Sequence, residues 1–143
     1  MTSSRQNGAT FEDVKRLAAG LPEVAESTSY GTPALNVRGR SFCRMWGVRE
    51  HNRDAMDDTE VLVVFCDSAW KGTLIDNSGG VLFSTPHYQR YPAMLIRIAD
   101  VTHDNLAAYL EDSYLQRAPA SLRRQVERNE AIEANGGEEG EFT

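Results

Sequence analysis

Apolar residues recur at helical spacing near the start of the chain, at Phe11, Val14, Leu17 and Ala18. This spacing predicts an amphipathic helix over residues 11 to 19. Thr10 and Asp13 stand where a capping box places its two side chains, with Asp in the position usually held by Glu. Leu21-Pro22 follows and breaks the helical pattern, so we expect the helix to end before it.

Alternating apolar and polar residues predict a β-hairpin in the next part of the chain. Leu35 and Val37 are separated by a polar position, and the alternation returns from Ser41 to Val48. Arg38-Gly39-Arg40 lies between the two stretches and supplies the turn. The hairpin tip is therefore rich in arginine.

Two polar stretches flank this hairpin without a regular pattern. Residues 23 to 30 are predicted to be a short extended approach, in which Val24 and Tyr30 are the buried positions. Residues 49 to 60 hold several acidic residues but lack the spacing of a calcium-binding loop. We expect them to form a long, mobile, solvated loop.

Short apolar runs predict the remaining strands. Residues 61 to 65 read as a strand buried on both faces, residues 81 to 83 as a short strand, and residues 93 to 99 as the last strand. Between the first two, Asp67 or Ser68 is predicted to cap a short helix that ends at residues 77 to 80.

Helical spacing returns in the last third of the chain. Thr102 is predicted to cap a helix that runs to Arg117, and Pro119 to begin another through Leu122 and Val126. The elements together predict an α+β fold, in which an antiparallel sheet of about five strands packs against N-terminal and C-terminal helices.

Length and composition fit one domain. The chain has 143 residues, of which 41% are apolar, enough for one continuous core. We expect a disordered N-terminus over residues 1–9, a single domain over residues 10–134 and a disordered acidic tail over residues 135–143. No run approaches the roughly 18 apolar residues that span a bilayer, and the polar start does not resemble a signal peptide, so we expect no membrane association and a cytoplasmic protein. Cys43 and Cys66 lie in separate apolar stretches and are predicted to be buried thiols.

The negative charge is concentrated at the end of the chain. Of the formal net charge of −6, the segment from Glu127 onwards carries six acidic residues against the single base Arg128. The preceding 126 residues are close to neutral. Composition alone therefore does not support binding to phosphate, although a neutral body can carry a basic face.

Residues Ser84 to Ala93, which we call the Pro/Tyr segment, are the part of the chain least explained by folding. They contain two prolines, two tyrosines, a histidine and an arginine. Proline restricts its own backbone and extends the residue before it, so Thr85 and Tyr91 are expected to be extended and the segment stiff. Such a segment suits base stacking and phosphate contact, and it equally suits a purely structural turn.

Four pieces of the sequence, in this order and spacing, resemble the MmcQ/YjbR family. They are Ser29-Tyr30-Gly31-Thr32-Pro33-Ala34, the hairpin from Val37 to Phe42, the Pro/Tyr segment with Phe83 before it, and Arg117-Ala118-Pro119. The resemblance covers roughly residues 11 to 126. It implies a CyaY-like α+β fold and a DNA-binding role. Family members often carry lysine where Asn36 and Ala120 stand, and the 49–58 loop is longer and more acidic than usual, which lowers the positive potential.

Under the DNA-binding hypothesis, arginines contact phosphate or groove edges while aromatic residues position or stack. The predicted nucleic-acid-binding residues are Arg38, Arg40, Arg44, His87, Tyr88, Arg90, Tyr91 and Arg97. The expected partner is DNA. The sequence does not predict an oligomeric state.

The alternative hypothesis is a module that binds a small molecule or a protein partner, with the Pro/Tyr segment as the wall of a pocket. Tyr30, Trp46, Trp70 and Tyr88 are the candidates to line it. A core position is the preferred interpretation for Trp70, whereas Trp46 is evenly balanced. Clustered arginines on an open face favour nucleic acid, and a concave aromatic pocket favours a ligand.

An enzyme is the third hypothesis. Cys66 with His87 can be drawn as a nucleophile and base, and His51, His87 and His103 as metal ligands, but no catalytic or metal-binding motif frames them. We therefore predict a non-enzymatic protein with no cofactor and no metal.

Overall fold

A computed structural model describes residues 8–29, 31–54 and 60–142, with side chains described as far as residue 133. Its strands are β1 Val24–Ser29, β2 Thr32–Val37, β3 Arg40–Met45, β4 Val61–Phe65, β5 Leu82–Phe83 and β6 Ala93–Arg97. Its helices are α1 Phe11–Ala18, α2 Val48–Arg53, α3 Ser68–Asp76, α4 His103–Arg117 and α5 Ala120–Phe142. The strands form one antiparallel sheet in the order β1-β2-β3-β4-β6-β5. The predicted α+β fold is confirmed.

The sheet has six strands rather than about five, because β1 is a full strand where we expected an extended approach. It pairs with β2 from Val24 opposite Val37 to Ser29 opposite Thr32. β1 is an edge strand with mostly exposed or half-buried side chains, so its polar sequence carries no strand pattern. Tyr30, predicted to be buried, lies outside the described residues.

The hairpin between β2 and β3 turns as the sequence predicts. Arg38 and Gly39 both have positive φ angles, 51° and 79°, as a two-residue turn between antiparallel strands requires. The pairing shifts register further along, since Leu35 faces Cys43 while Asn36 faces Ser41. Phe42 is the extra residue of this bulge.

The 49–60 stretch is not a loop throughout, because α2 occupies Val48–Arg53. The Glu50 side chain accepts a hydrogen bond from the Gly47 N–H at 2.7 Å and so caps the helix start. The prediction of an irregular loop is wrong here because this short helix has no apolar periodicity to reveal it. Residues 55–59 lie outside the described residues.

The main core lies between one face of the sheet and the helices. Its fully buried large side chains include Phe42, Leu62, Ile96, Leu106 and Tyr114. Phe42 meets Tyr114 of α4 edge to face, with ring centroids 5.6 Å apart. Cys43 and Cys66 are buried free thiols, as predicted.

A second, smaller cluster covers part of the other face of the sheet. It consists of Trp46, Val61, Val63, Tyr88, Ala93 and Leu95, with Phe65 and Phe83 packed against it. Tyr88 comes from the Pro/Tyr segment, so this segment covers strands that the helices leave uncovered. The cluster forms the floor on which a site is built.

The two tryptophans differ in exposure. Trp46 is 4% exposed and belongs to the second cluster, whereas Trp70 is 62% exposed. The prediction of a core position for Trp70 is wrong. The side of α3 that turns inward carries Lys71, Leu74 and Ile75, and Trp70 is one residue out of phase with it.

Two backbone hydrogen bonds tie the first described residues to the body of the domain. Gly8 and Ala9 donate backbone hydrogen bonds to the carbonyl oxygens of Val101 and Ile98 at 3.0 and 2.6 Å, so these two residues are joined to the domain. Residues 1–7 lie outside the described residues. The backbone of α5 continues to Phe142 over the segment predicted to be disordered, while its side chains are described only to residue 133. The C-terminal boundary therefore stays a prediction.

All three helix caps predicted from side chains are confirmed. Thr10 donates its N–H to Asp13 at 3.0 Å, the Asp67 carboxylate accepts the Ala69 N–H at 2.9 Å, and the Thr102 hydroxyl accepts the Asn105 N–H at 3.1 Å. The hydrogen bond from the Thr10 N–H is the main cause of the lowered pKa of Asp13. Within the described residues, no helix has both the length and the apolar character needed to cross a bilayer.

Candidate ligand-binding cavity

The Pro/Tyr segment folds into a short turn that points Tyr88 at the sheet. Thr85 is extended, with φ −124° and ψ 169°, as Pro86 after it requires. Pro86–Tyr88 then forms one 3-10 turn, and the Tyr91 N–H donates to the Tyr88 carbonyl at 3.0 Å. The prolines thus set the start of the turn, and backbone hydrogen bonds close it.

A buried lysine holds this turn in place. Lys71 of α3 is 8% exposed, and its ammonium donates to the carbonyl oxygens of Tyr88 at 2.5 Å and Tyr91 at 2.9 Å. Burial lowers the pKa of Lys71. The sequence analysis missed this residue, although a lysine at the same helical spacing as Leu74 and Ile75 signals a cation that turns inward.

The Tyr88 ring packs on Trp46. Tyr88 is 6% exposed, and the two rings are stacked at 6.4 Å with 26° between their planes. His87 and Tyr91 pack around Tyr88, with ring centroids 5.1 and 6.3 Å from it. The Tyr88 hydroxyl accepts a hydrogen bond from Arg44 of β3 at 3.3 Å. Tyr88 therefore joins the Pro/Tyr segment to the sheet.

A cavity of about 550 Å³ opens between this segment, the sheet and α2. This volume lies within the range of small-molecule sites. Its charged and aromatic lining residues are Arg44, Arg49, Glu50, Arg53, Phe65, His87, Tyr88 and Tyr91. The lining is therefore basic and aromatic, and Glu50 is the single carboxylate that the described residues contribute to it.

Hydrogen bonds within the protein hold two of these charged side chains, Arg44 and Glu50, in place. Arg44 pairs with Glu50 at 3.4 Å, and both side chains are largely buried. Burial by itself raises the pKa of Glu50, but the Gly47 N–H and the Arg44 charge outweigh it and hold the pKa below its ordinary value. Glu50 is thus an anion that fixes Arg44.

The two arginines of α2 differ in their partners. Arg53 pairs with Asp54 at 2.9 Å, which is the main cause of its raised pKa, and its guanidinium carbon lies 5.7 Å from the centre of the Tyr88 ring. Arg49 has no carboxylate partner in the described part of the chain. The cavity therefore presents at least one guanidinium, that of Arg49, with which no carboxylate of the described residues pairs.

Of the predicted nucleic-acid-binding residues, the structure brings four together. Arg44, His87, Tyr88 and Tyr91 line the cavity. Within the Pro/Tyr segment, Arg90 is exposed but does not line it.

Three other predicted arginines lie apart from this cavity. Arg38 stands at the hairpin tip and binds Glu23 through two hydrogen bonds of 2.5 and 2.9 Å, and hydrogen bonding to Glu23 is the main cause of its raised pKa. Arg40 donates to the Arg117 carbonyl at 3.5 Å. Arg97 lies with its guanidinium carbon 4.7 Å from the Phe83 ring centre. The predicted set therefore does not line one cavity.

The aromatic candidates for the pocket wall also divide. Tyr88 lines the cavity, Trp46 supports it from behind, and Trp70 is exposed on α3. Tyr30 lies outside the described residues. Of the aromatic residues that the alternative hypothesis names, Tyr88 is the one that the described structure places in the lining of this cavity.

Arg49, Glu50 and Arg53 are lining residues that the sequence analysis missed. Arg49 and Arg53 are four residues apart, which places both guanidinium groups on one side of a helix. That signal becomes readable only once the segment is known to be helical.

The residues considered for catalysis and metal binding are separated. Cys66 is buried outside the cavity, burial raises the pKa of its thiol, and His87 lies on the cavity wall. Among the described residues, His, Cys, Asp and Glu side chains do not gather in threes as a metal site requires.

Known proteins resemble this chain over most of its length. The family model described as YjbR matches residues 19–116. Uncharacterised proteins of Mycobacterium bovis and Mycobacterium tuberculosis are each 32% identical over 122 residues, which cover 80% of this chain and 92% of the relative. The crystal structure of a Deinococcus radiodurans protein with a DUF419 domain matches with a TM-score of 0.58 and 18% identity, over 75% of this chain and 77% of that chain. The last likeness concerns the fold alone, while the sequence matches establish kinship: the chain belongs to the YjbR family.

Proposed function

We propose that this protein is a binding module that takes a small anionic molecule with a flat ring into the cavity behind the Pro/Tyr segment. The observation that carries the proposal is the lining itself. Three arginines and three aromatic side chains converge on about 550 Å³, and the described residues place one carboxylate among them, Glu50. Guanidinium groups bind carboxylate and phosphate in fixed geometry, and aromatic faces stack on flat rings.

The charges of the cavity support an anion rather than a cation. Glu50 is already engaged by Arg44 and by the Gly47 N–H. Arg49 has no carboxylate partner within the described residues. An anion that enters beside Arg49 gains a charge-assisted hydrogen bond without breaking an existing ion pair.

The rigidity of the wall supports a preformed site. Lys71 fixes the Pro/Tyr turn from behind, and Trp46 supports the Tyr88 ring. A side chain that is already ordered loses little freedom when a ligand binds, so more of the interaction energy appears as affinity.

A binding role is preferred to catalysis because the chain's possible nucleophile and base do not meet. Cys66 is buried, with a raised thiol pKa, and it does not line the cavity that His87 lines. A thiolate nucleophile needs a lowered pKa and access to substrate.

DNA binding stays a prediction that rests on family resemblance. Two observations favour the small ligand over it. Arg38 at the hairpin tip is neutralised by Glu23, and the predicted arginines are divided among the tip, the cavity and the sheet edge near Phe83. A concave, ring-lined cavity suits a compact molecule better than a continuous phosphate backbone.

The proposal is tested by titrating a W70F variant with phenyl phosphate, the simplest probe that joins a ring to an anion. Trp46 is then the one tryptophan left, and its fluorescence reports on the Tyr88 ring that it contacts. We expect a saturable change, weakened about tenfold by Arg49→Gln, because a charge-assisted hydrogen bond is lost. Arg124→Gln makes the same change of charge on exposed α5 and serves as the matched control.

Duplex and single-stranded DNA are titrated in parallel across salt concentrations. Absence of any phenyl phosphate response in the folded protein refutes the proposal. DNA binding that weakens steeply with salt and requires Arg38 and Arg40, with no response to phenyl phosphate, replaces it with the nucleic-acid function.

A further inference from the structure

A second cavity of about 220 Å³ adjoins the first. The two share part of their walls, namely Arg44, Val63 and Phe65. Arg117, the last residue of α4, lines the second cavity but not the first. The open face of the sheet therefore carries a continuous depression with Phe65 in the part common to both cavities.

Ser113 of α4 lies between the ends of β3 and β4 beside the second cavity. Pairing between β3 and β4 runs from Met45 opposite Leu62 to Cys43 opposite Val64, and the next pair in register is Phe42 and Phe65. Instead of bonding each other, these two backbones are bridged by Ser113. Its hydroxyl accepts the Phe65 N–H at 2.7 Å and donates to the Phe42 carbonyl.

Arg117 occupies this end of the depression. Its Nε–H donates to the Ser41 carbonyl at 3.1 Å, and its guanidinium carbon lies 4.4 Å from the centre of the Phe65 ring. The guanidinium is thus fixed beside the ring that both cavities share. Since its Nε–H is already used, the remaining N–H groups are the donors left for a ligand.

A second arginine, Arg40, lies close to Arg117. Arg40 donates to the Arg117 carbonyl, and burial together with the Arg40 charge lowers the pKa of Arg117. Neither arginine has a carboxylate within ion-pair distance in the described portion of the chain. Like charges held together without a counter-charge repel each other, and an anion placed between them removes that cost.

We infer that the two cavities form a single groove whose ligand carries two anionic groups joined by a flat or apolar segment, an inference that rests on the proposed function. One anionic group binds at Arg49 and Arg53 in the first cavity. The other binds at Arg117 in the second cavity, where the nearby charge of Arg40 also attracts it, and the joining segment lies against Phe65. Arg44, common to both cavities, faces the ligand between its two charged ends.

The inference is tested with two probes that share one ring, phenyl phosphate and 1,4-phenylene bisphosphate, on the W70F protein. We expect the bisphosphate to bind about tenfold more tightly, as a second charge-assisted contact predicts. Arg117→Gln should bring the bisphosphate close to the affinity of phenyl phosphate and leave phenyl phosphate unchanged. Arg49→Gln should weaken both probes.

Arg40→Gln provides a second variant at an exposed position, in case Arg117→Gln disturbs folding. It should weaken the bisphosphate severalfold and leave phenyl phosphate unchanged. Equal affinities of the two probes, or an equal loss for both in the Arg40 and Arg117 variants, overturn the two-anion groove while the single-anion cavity stands. If neither probe binds, it is the proposed function that fails.

Discussion

Replacing Lys71 by methionine tests whether one buried cation organises the site. The substitution keeps most of the aliphatic stem but removes the donor to the Tyr88 and Tyr91 carbonyls. Each carbonyl left without a donor costs about 1–3 kcal/mol, and part of that loss is offset because no charge is buried any longer.

We therefore expect K71M to lower the free energy of unfolding by about 2–3 kcal/mol. For a domain of this size the Tm should fall by about 5–10 °C. Urea unfolding followed by circular dichroism measures the first quantity and thermal unfolding the second. Because the Pro/Tyr turn loses its anchor, phenyl phosphate should also bind several times more weakly.

The chain offers a matched control in its other lysine. Lys15 pairs with Glu12 and Glu26 on the surface of α1, so K15M removes the same charge without exposing a buried carbonyl. K15M should lower the free energy of unfolding much less than K71M does. Equal stability of K71M and wild type, with unchanged affinity for phenyl phosphate, refutes the role assigned to Lys71.

Three further predictions follow from single contacts. Ser113→Ala should destabilise the protein by about 1–3 kcal/mol in urea unfolding, because the two backbone groups that the hydroxyl bridges lose their partner, and a neutral result contradicts that bridge. The hydrogen bond with Glu130, burial and neighbouring carboxylates raise the pKa of Glu111 from 4.5 to about 7. The stability that this proton contributes is therefore complete below pH 4.5 and is lost as pH rises through 7. Tm measured against pH should show this decline and Glu111→Gln should flatten it, whereas an unaltered profile in that variant argues against it. Trp70→Ala should cost less than Trp46→Ala by several kcal/mol, since only Trp46 leaves a cavity in a packed cluster, and equal Tm values for the two variants contradict the assigned burial.

Periodic elements were predictable because their side chains alternate between core and solvent. The helix that begins after Thr102 and the arginine-tipped hairpin carry this alternation, and the structure has both. The strand over residues 61 to 65 was predictable from its continuous apolar run instead, because it is buried on both faces. β1 and α2 escaped prediction for the opposite reason. An edge strand with exposed side chains and a six-residue helix without an apolar stripe leave no periodic trace.

The candidate site was predictable only where its residues are close in sequence. His87, Tyr88 and Tyr91 stand out as a local cluster, and all three line the cavity. The pairing of Arg38 with Glu23 depends on contacts between residues far apart in the chain, which no local pattern reveals. Arg117 and Phe65 are likewise far apart in the chain, and no local pattern reveals their contact. The rest of the site therefore required the fold.

The edge position of β1 has a consequence for how the protein aggregates. This rim of the sheet is polar, and the opposite rim is the two-residue strand β5, so neither is a good template for strand addition by another molecule. The interior strand Val61–Phe65 is an uncharged apolar run of the kind that forms amyloid, and it is flanked on both sides in the native state. Another molecule can pair with it only after the sheet opens, so conditions that speed unfolding should shorten the lag time of fibril growth.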